Sequence, residues 1–390
     1  MKTKIGVFFG GRSVEHEISI ISAQQAICAF DQNKYSIIPI YITKEGKWYT
    51  GKSLLDLDNY KNTNKLLEQC EEVYMIPSFG DYNLYKKKQV FLRSSIKETI
   101  DVVLPVLHGT NGEDGTFQGL IELIGIPYVG CNTVSSANGM DKIYMKMILR
   151  ECGIPVIDYV WFTDKDWFLQ KNKYIQTIEE QLGYPVIIKP SNLGSSVGIS
   201  PASNKNDLIQ AIESAEKFSQ RIIVEKMIVE IKEINCSVLG DYQKAKSSVC
   251  EEPVRSGDIL SYADKYMSGG KPSKGMQSTK RRIPADLPID VSEKIRSYAV
   301  EAFRVLSCNG VARVDFIIDE KDNSIYVNEI NTIPGSLSFY LWEATNLNFD
   351  NLMDELVKLA LKRDRETRIK TFDYNQNIFN VKRGKSGKLY

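Results

Sequence analysis

Short apolar runs, glycine turns and amphipathic stretches alternate at the start of the chain. Residues 4–9, KIGVFF, predict a buried strand that ends at Gly10 and Gly11. A helical stretch follows, EHEISIISAQQAICAF, and then a second apolar strand, SIIPIYI. A third strand, DVVLPVL at 101–107, precedes HGTNGEDG and the helix TFQGLIELIG. This order predicts a parallel α/β sheet, with residues 50–98 as an irregular connection.

The remaining pattern predicts two further units. A helix at 134–152 opens a smaller α/β unit, and a helix at 350–362 closes a larger one. Strands of the larger unit are expected at 221–226, 233–239 and 311–331. Between residues 256 and 282 lies a polar, glycine-rich stretch, and a connection that long is usually functional or mobile. The expected domains are 1–130, 131–215 and 216–362, followed by a basic tail at 363–390.

Composition narrows the class of protein. The 390 residues are 43% hydrophobic, as in ordinary globular proteins. Because 50 Lys and Arg balance 49 Asp and Glu, no basic field attracts nucleic acid. Seven cysteines, none in a Cys-x-x-Cys pair, favour a reducing compartment over disulfides or zinc. No run approaches the ~20 apolar residues of a membrane span, and glycine interrupts the first apolar stretch too early for a signal peptide. We therefore expect a cytoplasmic protein without membrane or nucleic-acid partners.

The segment VIIKPSNLGSSVGIS places Lys189 at the end of an apolar strand, directly before small residues. Small residues let the backbone approach a ligand closely, and successive N–H groups can surround an anion. The lysine adds a positive charge, so the pattern predicts a phosphate site. The alternative is a strand-end lysine that reaches water before a flexible loop. Neither the Walker A motif nor Gly-x-Gly-x-x-Gly occurs in the chain.

Alternating apolar and polar residues in GVARVDFIID and IYVNEINTIPG predict an antiparallel hairpin that turns at residues 321–323. Glu329 and Asn331 are two apart and share a face of one strand. The register of the hairpin places Asp315 about opposite Glu329. Three oxygen donors without histidine or cysteine suit Mg²⁺ rather than zinc. The alternative is a solvated polar face, which the apolar flanks disfavour because unpaired buried carboxylates are costly.

Two weaker features remain. The strand IIVEKMIV contains Glu225 and Lys226, and its backbone could bind an adenine, with Glu233 downstream on ribose hydroxyls. Charged residues occur in edge strands for many other reasons. The chain has two histidines, His16 and His108, and both lie near glycine-rich turns after strands. Ligands of open α/β sheets bind at such strand ends, although a structural role is the commoner one for a single histidine.

Several of these segments occur together in one known family. FFGGRSVEHEIS, LHGTNGEDGTFQGLIELIGIPYVG, MDK, VIIKPSNLGSSVGIS, GVARVDF and NEINTIPG resemble D-alanine–D-alanine ligases in order and spacing. The resemblance covers about residues 3–345 and implies membership of the ATP-grasp superfamily. The implied fold is an N-terminal parallel α/β domain followed by two α+β subdomains that enclose ATP.

The resemblance implies an ATP and metal site. The residues expected at the phosphates are Lys142, Lys189 and Ser196. The residues expected around the adenine are Glu225, Lys226, Met227 and Ile228. Glu233 is expected on the ribose, with Glu230 as the alternative because EKMIVEIKE is one residue longer than usual in relatives. The residues expected to bind two Mg²⁺ or Mn²⁺ ions are Asp315, Glu329 and Asn331.

The resemblance also implies groups around two amino-acid substrates. Arg313 and the backbone of Gly335 would form an oxyanion site. Glu15 would bind the ammonium of the first D-alanine, and Ser195 and Tyr266 would connect it to the loop. The remaining substrate residues expected are Lys265, His108 and Tyr340. Tyr340 stands where relatives usually have a serine that binds the carboxylate of the second substrate.

The implied activity is ATP-dependent ligation of two D-alanine molecules through an acyl phosphate, for peptidoglycan synthesis, by a homodimer. One alternative is a ligase with D-serine, D-lactate or another acceptor. A second alternative is a non-catalytic nucleotide-binding module, which would not need the oxyanion residue Arg313. The tail from Arg363 is expected to be solvated or loosely packed and dispensable for catalysis.

Overall fold

Three β-sheets organise the described part of the protein. The computed structural model describes residues 1–88, 95–194, 197–253 and 281–372. The sheets have seven, four and five strands, and helices pack against them. The predicted α/β class is confirmed.

The first sheet contains the parallel strands predicted from the N-terminal pattern. Its strands are β1 Thr3–Gly10, β2 Tyr35–Ile42, β3 Trp48–Thr50, β4 Glu71–Met75, β5 Asn83–Lys86, β6 Ile96–Thr99 and β7 Val102–Val106. Their order is β6-β5-β4-β3-β2-β1-β7, and β1 is parallel to both β2 and β7. Because β1 and β7 are covered on both faces, they are continuous apolar runs.

The described residues between 50 and 98 are more regular than predicted. Strands β3 to β6 extend the sheet by antiparallel pairing. In β4, Val73 and Met75 are buried whereas Glu71 and Tyr74 are exposed. The prediction of an irregular connection is therefore wrong. The strands were not recognised in the sequence because each has only three to five residues. Alternation over so few positions is hard to separate from a loop.

The second sheet contains β8 Tyr159–Thr163, β9 Val186–Pro190, β10 Ser200–Ala202 and β11 Arg221–Lys226. The order is β10-β9-β11-β8, and all pairs are antiparallel. Lys189 pairs with Ile223, and Pro190 pairs with Ile222. Lys189 therefore lies within the strand, one residue before its end, because β11 continues opposite it.

The third sheet contains β12 Ile231–Gly240, β13 Ala245–Pro253, β14 Arg281–Arg282, β15 Gly310–Asp319 and β16 Ile325–Asn331. Its order is β14-β13-β12-β15-β16. The predicted hairpin is confirmed, since Asp315 pairs with Glu329. Asp315 also pairs with Asn235, which pairs with Glu251. These four side chains, one from each of four strands, are called the polar row below.

The helices lie on the three sheets. In chain order they are α1 His16–Ala29, α2 Thr63–Glu68, α3 Thr116–Ile124, α4 Thr133–Met140, α5 Lys142–Glu151, α6 Asp164–Gln181, α7 Lys205–Ala215, α8 Ile289–Val305, α9 Phe339–Glu343 and α10 Phe349–Arg368. Short 3-10 helices occupy Lys52–Leu55, Leu57–Asn62 and Gly335–Ser338. None of the helices described combines the length and the apolar character needed to cross a bilayer.

Helix α10 continues beyond the predicted end at residue 362. Its last turns are almost entirely charged, so apolar periodicity does not reveal them. Arg363 donates hydrogen bonds to the carbonyl oxygens of Tyr128 and Gly130, each at 2.6 Å, and its guanidinium lies 4.0 Å from the Tyr128 ring centre. Arg368 donates to the hydroxyl of Tyr82 at 2.7 Å. Residues 363–368 are therefore helical and anchored by Arg363 and Arg368 rather than loosely packed, although Arg365, Thr367 and Arg368 are exposed to solvent as expected. Residues 373–390 lie outside the described ranges.

Candidate active site

A cavity of about 400 Å³ is lined by residues from all three parts of the fold. The N-terminal unit contributes Glu15 and Glu113, and the second sheet contributes Lys189. The third sheet contributes the polar row and Arg313. At its rim, a Cβ on Gly194 would lie 3.2 Å from the Glu15 carboxylate, so a larger residue there would crowd that side chain. The sequence motifs are therefore brought together around one space.

The three predicted metal ligands lie side by side. Arg313 holds Asp315 in a bidentate ion pair, with Nε–Oδ1 at 2.6 Å and Nη2–Oδ2 at 2.7 Å. Asn331 donates to the same Oδ2 at 3.0 Å. Among the residues described, no three His, Cys, Asp or Glu side chains form a metal-binding group. The candidate set therefore has two carboxylates and one amide, an all-oxygen set compatible with Mg²⁺.

Lys189 and Glu225 form a buried ion pair in the site. The Lys189 Nζ lies 2.8 Å from Glu225 Oε2 and 3.2 Å from Asn328 Oδ1. A second lysine, Lys146, lies 3.2 Å from the other carboxylate oxygen. Burial raises the pKa of Glu225, but the two lysines more than offset this and hold it at about 2. All four residues expected near adenine line the cavity: Glu225, Lys226, Met227 and Ile228. Of these, Glu225 also has its carboxylate engaged with two lysines.

Lys142 connects the cavity to the segment after β9. It is the first residue of α5, whose N-cap is Asp141. Its Nζ donates to the carbonyl of Leu193 at 2.8 Å and lies 3.5 Å from Glu329 Oε2. Its backbone N–H donates to the carbonyl of Ser191. The lysine is therefore placed between the small-residue segment and the candidate metal ligands.

Glu113 is a buried carboxylate that the sequence analysis did not single out. Its oxygens accept hydrogen bonds from the backbone N–H groups of Gly109 and Ile333, at 2.8 and 3.1 Å. Burial and the nearby charge of Glu15 raise the pKa of Glu113 to about 8. The only sequence signal was its place in HGTNGEDG, directly after a buried strand.

Both histidines are held by protein groups on both ring nitrogens. His108 Nδ1 is 2.9 Å from the carbonyl oxygen of Ile333, which can only accept, so Nδ1 carries the proton. Its Nε2 accepts from the Ser22 hydroxyl, which in turn accepts from the backbone N–H of Ser336. His16 similarly contacts the Gly11 carbonyl and the Tyr41 hydroxyl. Burial lowers the pKa of both rings, so both are neutral near pH 7. His16 is structural, whereas His108 fixes the turn that contains Gly335.

Comparison with known proteins identifies the family. A family model described as "D-ala D-ala ligase N-terminus" matches residues 4–131, and one described as "D-ala D-ala ligase C-terminus" matches residues 148–358. The chain belongs to the D-alanine–D-alanine ligase family. The D-alanine–D-alanine ligase of Thermosipho melanesiensis is 41% identical over 382 residues, covering 98% of this chain and 99% of that protein. The ligase of Caldicellulosiruptor bescii is 42% identical over 371 residues, covering 94% and 97%.

Solved structures that are similar to this protein are also ligases of this kind. The D-alanine–D-alanine ligase from Coxiella burnetii superposes with a TM-score of 0.76 at 33% identity, covering 94% of this chain and 96% of that chain. The VanG D-Ala:D-Ser ligase from Enterococcus faecalis gives 0.78 at 33%, covering 92% and 100%. The ligase from Bacillus anthracis, solved as a complex with ATP, gives 0.65 at 27%, covering 94% and 99%. The expected ATP-grasp fold is therefore confirmed.

Tyr340 is the residue that the resemblance puts in place of a substrate-binding serine. The Tyr340 side chain is buried, and its hydroxyl donates to Glu251 Oε1 at 3.3 Å. The guanidinium of Arg281 lies 4.2 Å from its ring centre. Glu251 and Arg281 line the cavity, and the sequence analysis named neither. Both lie near the glycine-rich stretch and gave no motif of their own.

Of the remaining predicted residues, two lie in the described part of the chain and four lie outside it. Gly335 opens the 3-10 turn Gly335–Ser338, in which Ser336, Leu337 and Ser338 have φ of 51–52°. Glu233 lines the cavity, whereas Glu230 is exposed. The ribose expectation therefore keeps Glu233 as its candidate. The residues that lie outside the described ranges are Ser195, Ser196, Lys265 and Tyr266.

Proposed function

We propose that the protein is an ATP-dependent ligase that joins two D-alanine molecules into D-alanyl-D-alanine for peptidoglycan synthesis. The observation that carries the proposal is that Lys142, Lys189, Arg313 and Glu15 line one and the same cavity. Nearly full-length identity of about 40% with proteins named D-alanine–D-alanine ligase supports the same activity. We further propose that it acts in the cytoplasm, where ATP is available, as a homodimer.

Activation of a carboxylate by ATP brings two anions together, and this requires positive charge. Lys142 and Lys189 are the groups that would neutralise the phosphates. Asp315, Glu329 and Asn331 would hold up to two Mg²⁺ or Mn²⁺ ions, which would supply further charge neutralisation at the transferred phosphoryl group. The 3.5 Å distance between Glu329 and Lys142 supports this proposal, because it puts a proposed metal ligand beside a proposed phosphate-binding lysine.

The product of activation is an acyl phosphate, and attack by an amine then places negative charge on its carbonyl oxygen. Arg313 and the Gly335 backbone would stabilise that oxygen; loss of one such donor typically costs ~10²–10³ in rate. Glu15 would bind the ammonium of the donor. Its neighbour Glu113, with a pKa raised to about 8, is protonated at neutral pH and adds no second negative charge there. The ammonium therefore has one charged partner on this side.

The proposal also concerns the acceptor, which is the second substrate of the ligase. The family resemblance favours an amino acid, because Tyr266 accompanies amino-acid acceptors in the family whereas histidine accompanies D-lactate. We therefore propose peptide rather than ester formation, with D-alanine as the acceptor. D-serine is the second candidate, since one of the similar structures is a D-Ala:D-Ser ligase.

The test is ADP release with mass analysis of the product, using purified protein, ATP, Mg²⁺ and a panel of D-alanine, D-serine and D-lactate. We expect D-alanyl-D-alanine as the main product at pH 7. Faster ligation of D-serine or D-lactate would replace the proposed acceptor. Nucleotide binding without any ligation would favour the non-catalytic module. Sedimentation of the same sample tests the dimer.

A further inference from the structure

Arg281 is a positively charged residue that lines the cavity but has no role in the reaction steps proposed so far. Lys142 and Lys189 lie with Glu329 and Glu225 on the phosphate side. Arg313 is in a bidentate pair with Asp315. We propose that Arg281 binds the carboxylate of the acceptor amino acid, a role that rests on the ligase activity proposed above, and that Tyr340 and Glu251 position its guanidinium.

The position of Tyr340 argues against a direct contact of its hydroxyl with the substrate. The hydroxyl donates to Glu251, and Arg281 covers the ring. Burial and the charge of Glu251 raise the pKa of Tyr340 to about 12, although both Arg313 and Arg281 oppose this shift. The phenol is therefore neutral at working pH. Its aromatic face supports the guanidinium through a cation–π contact.

Glu251 completes the support. It is 2% exposed and accepts from Asn235 Nδ2 at 2.8 Å, while Arg281 Nη1 lies 3.3 Å from its Oε2. A carboxylate held by an amide, a phenol and a guanidinium has a fixed orientation, and so has the Arg281 side chain, which is 10% exposed. An arginine carries five N–H donors in a rigid plane, so a pair with Glu251 is compatible with a second carboxylate.

The location also fits the acceptor rather than the nucleotide. Tyr340 is close enough to both Arg281 and Arg313 for each charge to act on it. Glu251 belongs to the polar row, which leads through Asn235 to Asp315. Arg281 therefore lies on the Arg313 side of the cavity, where the amine must attack. An amino-acid acceptor carries a carboxylate close to that amine, and an adjacent guanidinium would neutralise it.

The first experiment compares Arg281→Gln with Arg282→Gln in the full chain. Arg282 is its neighbour in β14, but its side chain is 61% exposed and lies beside Glu252. ADP release against D-alanine concentration yields separate KM values for donor and acceptor. We expect Arg281→Gln to raise the acceptor KM at least tenfold with the donor KM changed less than twofold, and Arg282→Gln to change neither.

A second readout tests recognition of the carboxylate directly. D-alaninamide has the acceptor amine but no carboxylate, so the wild-type protein should form far less D-alanyl-D-alaninamide than D-alanyl-D-alanine in an equimolar mixture. Arg281→Gln should reduce this preference at least tenfold. Tyr340→Ala should reduce it as well, and Tyr340→Phe, which retains the ring, should reduce it less than Tyr340→Ala does.

The outcomes separate the two proposals. A wild-type protein that makes no dipeptide contradicts the proposed function. A wild-type protein that makes dipeptide, with an unchanged acceptor KM and amide preference in Arg281→Gln, overturns the role of Arg281. An equal rise in the donor and acceptor KM values also overturns it. If Arg281→Gln does not fold by circular dichroism, the same measurements on Arg281→Lys decide: the amide preference must fall, because one ammonium cannot reproduce the planar pair.

Discussion

The ammonium of Lys146 lies 3.2 Å from the carboxylate of Glu225, and neither side chain is more than 1% exposed. Burial lowers the pKa of Lys146, and the Glu225 charge opposes that shift. Because Lys189 binds the other carboxylate oxygen, one anion neutralises two buried cations. The carboxylate therefore controls whether Lys189, the proposed phosphate-binding lysine, is held in place.

Replacement of Glu225 tests this relationship. Glu225→Gln preserves the shape but leaves two buried ammonium groups without a counter-charge. We expect the free energy of unfolding to fall by about 3–5 kcal/mol, measured by urea denaturation at pH 7, and the KM for ATP to rise. Lys146→Met leaves the Glu225–Lys189 pair intact and should cost less. Equal stability of Glu225→Gln and wild type would contradict the charge assignment.

The metal assignment predicts the behaviour of Glu329→Gln. We expect ligation to fall by more than about a hundredfold, because even outer partners of metal ligands typically contribute 10–100-fold. The unfolding midpoint should change little, since Glu329 lies at the cavity. Activity measured against Mg²⁺ concentration checks the first part. Asp322→Asn, in the exposed turn of the same hairpin, is the matched control. Near-normal turnover in Glu329→Gln would refute the assignment.

Glu113 predicts a pH dependence of stability. An unfolded glutamate titrates near pH 4.3, whereas the pKa of folded Glu113 is raised to about 8. Between these values the folded state retains a proton that the unfolded state has released. The free energy of unfolding should therefore fall as pH rises through this window, by up to about 1.4 kcal/mol per pH unit.

Glu113→Gln removes this titration and should flatten the curve between about pH 5 and 8. Urea denaturation of wild type and variant at several pH values measures the difference. Glu301→Gln, exposed on α8, serves as the control and should leave the wild-type slope unchanged. A wild-type slope that persists in Glu113→Gln would show that another group causes it.

The end of helix α10 predicts two different truncation results. Truncation after Leu361 removes the Arg363 contacts to the Tyr128 and Gly130 carbonyls, and we expect it to destabilise the protein. Arg363→Ala alone should cost about 1.5–3 kcal/mol, as hydrogen bonds from charged groups do. Truncation after Phe372 keeps the helix and should retain both stability and activity. Thermal unfolding and ADP release compare the three proteins. If the protein truncated after Leu361 were as stable as the full chain, the Arg363 hydrogen bonds would not contribute to stability.

Much of the site could be predicted because its residues lie in short, local patterns. Asp315 and Glu329 belong to one hairpin, where alternation and the turn determine which residues pair. Lys189 adjoins a run of small residues, and this local signal was sufficient to place it at the cavity. The parallel order of β1 and β2 similarly follows from one strand–helix–strand segment. Each of these inferences needed only contacts between residues that are close in sequence.

The residues that were missed depend on distant contacts. Lys146 is an ordinary lysine in an amphipathic helix until Glu225 packs against it. Burial and the charge of Glu15 raise the pKa of Glu113, and its carboxylate accepts a hydrogen bond from Ile333, which is 220 positions away. Tyr340 appeared to replace a serine, but the orientation of its side chain depends on Glu251 in β13 and Arg281 in β14. Local sequence cannot reveal such partners, since burial and charge environment arise only when the sheets assemble.

The polar row has a consequence for folding. Glu251, Asn235, Asp315 and Glu329 come from four antiparallel strands, and each faces the cavity only in the observed pairing. A slip of one residue in any strand would turn its member to the opposite face. Such a misfolded sheet could retain much of its hydrogen bonding but would lack the assembled row. Recovery of ligase activity during refolding would therefore report correct strand alignment more specifically than circular dichroism does.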